Sequence, residues 1–197
     1  MAELIIQPCS LDTYIQEHTP TTTRGTETGL WLNGYAATYR TRILLKYDLS
    51  TIPSNAIISA AVIGLYCSTD GQSGAITVNA YRVFRAWTNS ATWNSYGGGS
   101  WTGAGCNDTT DDRSGTSMGS ASFDGTGWKS LSLGLTEFKY LRDSNNGLIL
   151  IGTVEGADGN DAYYSSENGS ASKPKLTVTY VPGGGNGGVF LSDYGVL

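Results

Sequence analysis

The chain has 197 residues, a net charge of −5 and only 15% charged side chains, against 27 glycines, 12 tyrosines and 5 tryptophans. That length can bury a full core, and the glycine-rich, aromatic, charge-poor composition reads as an all-β domain with many turns. The acidic balance argues against binding nucleic-acid backbones, and no apolar run reaches the eighteen residues a membrane-spanning helix needs.

In chain order, the first strands are expected at 3–6 and 11–15, where Leu4, Ile5, Ile6, Leu11, Tyr14 and Ile15 fall. The opening residues show neither a basic segment nor an apolar core of a secretory signal, so none is expected. A polar run from His18 to Glu27 follows, then Leu30-Trp31-Leu32 ending at Asn33-Gly34, a hairpin-type turn pair. Residues 42–49 (Arg-Ile-Leu-Leu-Lys-Tyr-Asp-Leu) form the next strand. Residues 57–67 are long and mostly apolar, which predicts a central strand buried on both faces. Ile76, Val78 and Ala80 alternate with polar residues, as Leu176, Val178 and Tyr180 do later, the period of half-buried strands. Leu148 to Ile151 reads as a core strand, and Leu135, Phe138 and Leu141 as a short helix with Thr136 as its cap.

The stretch 96–127 is rich in Gly, Ser, Thr and Asp without a period, and is expected to be a long functional loop. Residues 182–188 read as a Gly-rich linker after a single domain over 1–181. The apolar segment 189–197 then predicts a partner-docking tail through Val189, Phe190, Leu191, Tyr194, Val196 and Leu197. About ten short strands imply an all-β antiparallel β-sandwich, jelly-roll-like, with at most one short helix.

Several motifs fix a resemblance. Residues 12–15 (Asp-Thr-Tyr-Ile), 42–53 (Arg-Ile-Leu-Leu-Lys-Tyr-Asp-Leu-Ser-Thr-Ile-Pro) and 57–66 follow one another. Then come 81–87 (Tyr-Arg-Val-Phe-Arg-Ala-Trp), 91–94 (Ala-Thr-Trp-Asn), 146–148, 164–167 and 173–180. This succession, over roughly 10–181, resembles the DNRLRE domains, relatives of disaggregatase repeats and of a class of carbohydrate-binding modules. The resemblance implies a non-catalytic β-sandwich that, in some members, binds glycans and calcium.

Candidate chemistry is sparse. Residues 115–119 (Gly-Thr-Ser-Met-Gly) match a nucleophile-elbow spacing, but Asp-rich and Ser-rich flanks do not supply the strand and helix such a Ser117 needs. His18 is the sole histidine, and Cys9, Cys67 and Cys106 lack metal-site spacing, so they read as small buried hydrophobes. No enzyme activity is expected. One structural calcium is the possible cofactor, on the oxygens of Glu155, Asp158, Asn160 and Asp161; Asp108, Asp111 and Asp112 form a lesser cluster. Trp87 and Trp93 read as core. Tyr96, Trp101, Tyr163 and Tyr164 are the candidate glycan platform, because exposed aromatic rings stack on sugars. Arg24, Arg40, Arg42 and Lys46 read as a solvated basic strand face.

Two functions compete. The leading expectation is a structural or decoration protein of a large assembly, most naturally a bacteriophage virion. Its partners would be other virion subunits, in a homo-oligomer, and it would act without nucleic acid or membrane. The alternative is a glycan-binding module at a cell surface or outside the cell, with host glycans as ligands.

Overall fold

A computed structural model describes residues 1–156 and 159–183. It contains eleven strands: β1 (Ala2–Ile6), β2 (Leu11–Gln16), β3 (Gly29–Asn33), β4 (Thr41–Lys46), β5 (Ile57–Thr69), β6 (Ile76–Val83), β7 (Arg113–Phe123), β8 (Gly127–Ser132), β9 (Leu148–Gly152), β10 (Asn160–Tyr164) and β11 (Lys175–Val181). Among the described residues, one α-helix, α1, runs over Leu135–Asp143, and a single 3-10 turn covers Leu49–Thr51. Every strand pairing is antiparallel, in the order β1-β11-β5-β10-β3-β4-β9-β6-β7, with β8 on β5 and β2 on β4. The sheet curls on itself. Its seam is the single pair Asn33↔Thr41 between β3 and β4. One half, here layer one, holds β1, β11, β5, β8, β10 and β3. The other, layer two, holds β2, β4, β9, β6 and β7. This is the all-β sandwich expected from the sequence.

Alternation sorts the side chains. From layer one, Ala61, Ile63, Leu65, Cys67, Leu131, Tyr163, Leu176 and Val178 enter the central core. Ile43, Leu45, Leu148, Leu150, Ile76, Val78 and Ala80 meet them from layer two. The period-2 expectation for 76–80 and 176–178 therefore holds. The expectation that 57–67 is buried on both faces does not. On β5, Ala61, Ile63, Leu65 and Cys67 are buried inward, with Ile58 packed against the same core, while Val62 and Tyr66 stay half-buried on the outer surface. Strands buried on both faces include β2, β4 and β9, whose Ile15, Leu44 and Ile149 point away from the central core into a second one.

The segment 96–127 is not one loop. β7 occupies 113–123 and pairs with β6, and β8 pairs with β5. Ser and Gly fill most of the outward positions of β7 and hide its strand period, while Met118, Phe123 and Leu131 carry the buried inward face with Ala121 packed beside them. Gly119 permits the two strands to close on each other, since a Cβ there would lie 2.1 Å from the Ser132 carbonyl oxygen. The helix starts at Gly134 with no side-chain cap, so Thr136 is not its cap. Phe138 and Leu141 are buried against the sandwich end. The three cysteines are free and buried, as expected.

A buried carboxylate pins β2 to the connection between β10 and β11. Asp12, 1% exposed, accepts hydrogen bonds from Ser166 N at 2.7 Å, Ser166 Oγ at 2.9 Å and Cys9 Sγ at 3.2 Å. Burial pushes its pKa up to about 6, and neighbouring Glu167 adds to the rise. A carboxyl raised in the folded state stabilises the fold when protonated. That contribution is full below the unfolded value of 3.8 and is lost as pH rises through 6. Relative to Asp12→Asn, the wild type should therefore lose roughly 2–3 kcal/mol of stability between pH 4 and pH 8, read by denaturant unfolding at each pH.

Candidate functional site

The connection 84–112 lies over the outward face of layer two. Trp87, Ala91, Trp93, Trp101 and Cys106 pack on Ile15, Leu44, Val83 and Ile149 in the second core. Several of its buried polar groups are paired within it or with the segments beneath. Trp87 Nε1 donates to Asn146 O at 2.8 Å and Trp101 Nε1 to Thr92 O at 2.9 Å. Fully buried Asp112 accepts from Thr102 N at 3.0 Å and Gly103 N at 2.8 Å. The Arg42 guanidinium holds the cover to the sheet. It forks onto Glu155 with two bonds of 2.8 Å, donates to Gly105 O at 2.8 Å and sits 5.1 Å from the Trp93 ring centre. Arg42 is 3% exposed, so the N-terminal basic residues are not a solvated face. Arg24 pairs with Glu27, and Arg40 with Glu17, whose carboxyl that partner holds below its usual range.

This cover settles the expected platform residues. Trp101 is 5% exposed, and Tyr96 is half-buried edge-on against it at 5.7 Å. Trp101 therefore offers no face to a sugar; a Gly-rich neighbourhood suggested exposure, but the loop folds over its own tryptophans. Tyr163 is fully buried, and its hydroxyl donates to Asp161 Oδ2 at 3.2 Å. Tyr164, the next residue along β10, points the other way and stays partly exposed.

Among the described residues, the calcium candidates Glu155, Asn160 and Asp161 do not converge. Both Glu155 oxygens accept from Arg42. Asn160 Oδ1 accepts from Thr41 Oγ1 at 3.1 Å, and Asp161 Oδ1 from Gly71 N at 3.1 Å. Asn160 and Asp161 are successive strand residues and face opposite sides. Asp158 lies outside the described residues, as do Val189, Phe190, Leu191, Tyr194, Val196 and Leu197. Among the described residues, no group of three or more His, Cys, Asp or Glu side chains is placed to hold a metal. Asp108 caps its own turn through Thr110 N and Asp111 N, which lowers its pKa. Ser117 lies on β7 and donates to Gly119 O at 2.9 Å, while His18 stacks on Tyr39 at 3.9 Å.

The outer face of layer one is a different surface. Register places Tyr66 of β5 opposite Trp128 of β8, and Gly64 opposite Lys175 of β11. Tyr66 meets Trp128 edge-on at 5.6 Å and stacks with Tyr164 at 5.3 Å. The Lys175 ammonium sits 4.1 Å from the Trp128 ring centre. Glycine at 64 makes that crossing possible, because a Cβ there would lie 3.0 Å from Lys175 Cε and 3.4 Å from Trp128 Cζ3. Trp128 remains 43% exposed. Around these rings the register aligns Ser130, Ser132 and Thr177 with Gly64 and Val62, a row of small polar residues without carboxylates. Of this group the sequence reading selected Tyr164 alone. The missed signal was Trp128-Lys-Ser-Leu-Ser132, in which Trp128, Ser130 and Ser132 share one face.

The sequence profile of carbohydrate-binding module family 96 matches residues 7–180, nearly the whole chain. The protein belongs to carbohydrate-binding module family 96. No curated protein matches the chain. Among the described residues, no helix of this family 96 module is long and apolar enough to cross a membrane.

Trp101→Ala in the module should act as a core truncation, costing roughly 3–5 kcal/mol in chemical unfolding.

Proposed function

We propose that this module binds polysaccharide on the outer face of layer one, through Trp128, Tyr66 and Tyr164 with Lys175 as a hydrogen-bond donor, and cleaves no bond there. The observation that carries this reading is the exposed aromatic group on an uncovered sheet face, beside a second sheet face sealed by its own tryptophans. Aromatic rings contact the apolar faces of sugars, and the neighbouring hydroxyl and ammonium groups can pair with sugar hydroxyls. Hydrolysis of a glycosidic bond ordinarily needs two carboxyl groups flanking it, and the outward positions of β5, β8 and β11 around Trp128 carry none.

Family membership supports the glycan reading, and the DNRLRE-like motif order covers the same stretch. The reading as a virion decoration protein gains no support from the match, so its alternative takes its place: a surface-displayed or extracellular module whose partners are glycans.

Affinity electrophoresis through gels containing neutral or acidic polysaccharides tests this. The wild type should be retarded by at least one class. Trp128→Ala and Tyr164→Ala should each lose tenfold or more in affinity, about 1.4 kcal/mol, while keeping the wild-type melting temperature within a few degrees. Unchanged retardation of the double variant would refute the assignment of this face.

A further inference from the structure

The rings on the outer face of layer one stand in one row across four strands. β8, β5, β10 and β3 lie side by side: Cys67 of β5 pairs with Gly127 on one edge and Tyr163 on the other, and β10 pairs onward with β3. Register sets Trp128 opposite Tyr66, and Tyr164 opposite Gly29. The stacking of Tyr66 on Tyr164, at 5.3 Å and 11° from parallel, joins the two pairs. The row therefore reads Trp128, Tyr66, Tyr164, Gly29 and spans three strand spacings, roughly 14 Å.

Tyr66 covers one side of the Tyr164 ring. The strand position on the other side is Gly29, which has no side chain. Glycine weakens a strand, so its presence there calls for a cause. At two other glycines of this fold the cause is crowding: a Cβ would lie 2.1 Å from Ser132 O at Gly119, and 2.3 Å from Asn160 O at Gly71. Gly29 is under no such demand. Its φ lies outside the left-handed region. Among the described residues, a Cβ there would meet only Tyr163 O, at 3.8 Å, which is ordinary contact. Neither turn geometry nor close packing accounts for this glycine. A ligand approaching the backbone beside Tyr164 does.

This end of the row is also held in place. Ser165 N and Asn168 Nδ2 donate to Thr28 O at 3.2 and 3.0 Å, and Ser165 Oγ donates to Glu27 O at 2.7 Å. These bonds fasten the end of β10 to the residues just before β3, which fixes Tyr164 against Gly29. A surface preorganised in this way spends little ordering entropy on binding.

We propose that Gly29 is the floor of an end subsite of the glycan surface, which deepens the carbohydrate reading of this face and rests on it. One sugar ring of the bound chain lies over Gly29, against the side of Tyr164 turned away from Tyr66. The chain then crosses the strands from β8 to β3. The ligand that fills the row is a chain of several linked sugars; a single sugar covers only part of it.

The test is affinity electrophoresis of the full chain in gels containing soluble β-glucan, xylan, galactomannan or polygalacturonate. Wild type, Gly29→Ala, Gly29→Leu and Trp128→Ala are compared in each gel that retards the wild type. Gly29→Leu places a side chain in the subsite and should lose about fivefold or more in affinity. Gly29→Ala adds a methyl group that has room and should lose less than about twofold. Both glycine variants should melt within a few degrees of wild type. If Gly29→Leu is retarded like wild type while Trp128→Ala is released, the subsite is overturned and the reading of the face stands. A Gly29→Leu chain that melts far below wild type would show that glycine is structural there, and would also overturn the subsite alone. A wild type retarded by none of the four gels would overturn both.

Discussion

Strands β4 and β9 are apolar on both faces, and this constraint organises the molecule. Ile43, Leu45, Leu148 and Leu150 are consumed by the central core, and Leu44 and Ile149 still need cover on the opposite side. An antiparallel sheet ordinarily leaves one face to water. Here the connection 84–112 supplies a second core of three tryptophans over layer two. Arg42 makes the cover specific. Its guanidinium is buried, and such a charge is tolerated only when its donors are paired. The Glu155 fork, Gly105 O and the Trp93 ring provide that pairing and join β4 to two separate connections.

Sealing one face leaves the other as the accessible aromatic surface. A family of carbohydrate-binding modules needs an accessible surface with rings and hydrogen-bonding groups. The tryptophans of layer two are committed to stability. The rings of layer one are not: Trp128 stands at the edge of β5 with Lys175 across Gly64, and Tyr66 and Tyr164 continue the aromatic group. The division is one of packing, with similar residue types serving as core in one layer and as surface in the other.

How much of this the sequence revealed depended on whether the deciding contacts were local. The alternation in Ile76-Thr-Val-Asn-Ala80 and in Leu176-Thr-Val-Thr-Tyr180 is a local property, and both strands formed as read. β5 was misjudged because Ala60 and Val62 on its outer face are apolar yet small enough to remain there half-buried. β7 was hidden because Ser and Gly carry no hydrophobic period. Trp101 was misplaced because its burial comes from strands far away in sequence, which its Gly-rich neighbours do not announce. Tyr163 and Tyr164 looked equivalent as a pair, but neighbours on a strand must face opposite ways, so one is core and the other surface. The aromatic group on layer one is assembled from β5, β8 and β10, and no single segment displays it.

The most direct measurement is amide chemical-shift mapping of the wild-type module during titration with oligosaccharides of a polysaccharide that retards it. The account predicts perturbations clustered at Gly64 to Tyr66, Gly127 to Ser130, Tyr164 and Lys175, with the amides of 84–112 unmoved. Perturbations centred on 84–112, with those residues silent, would contradict it.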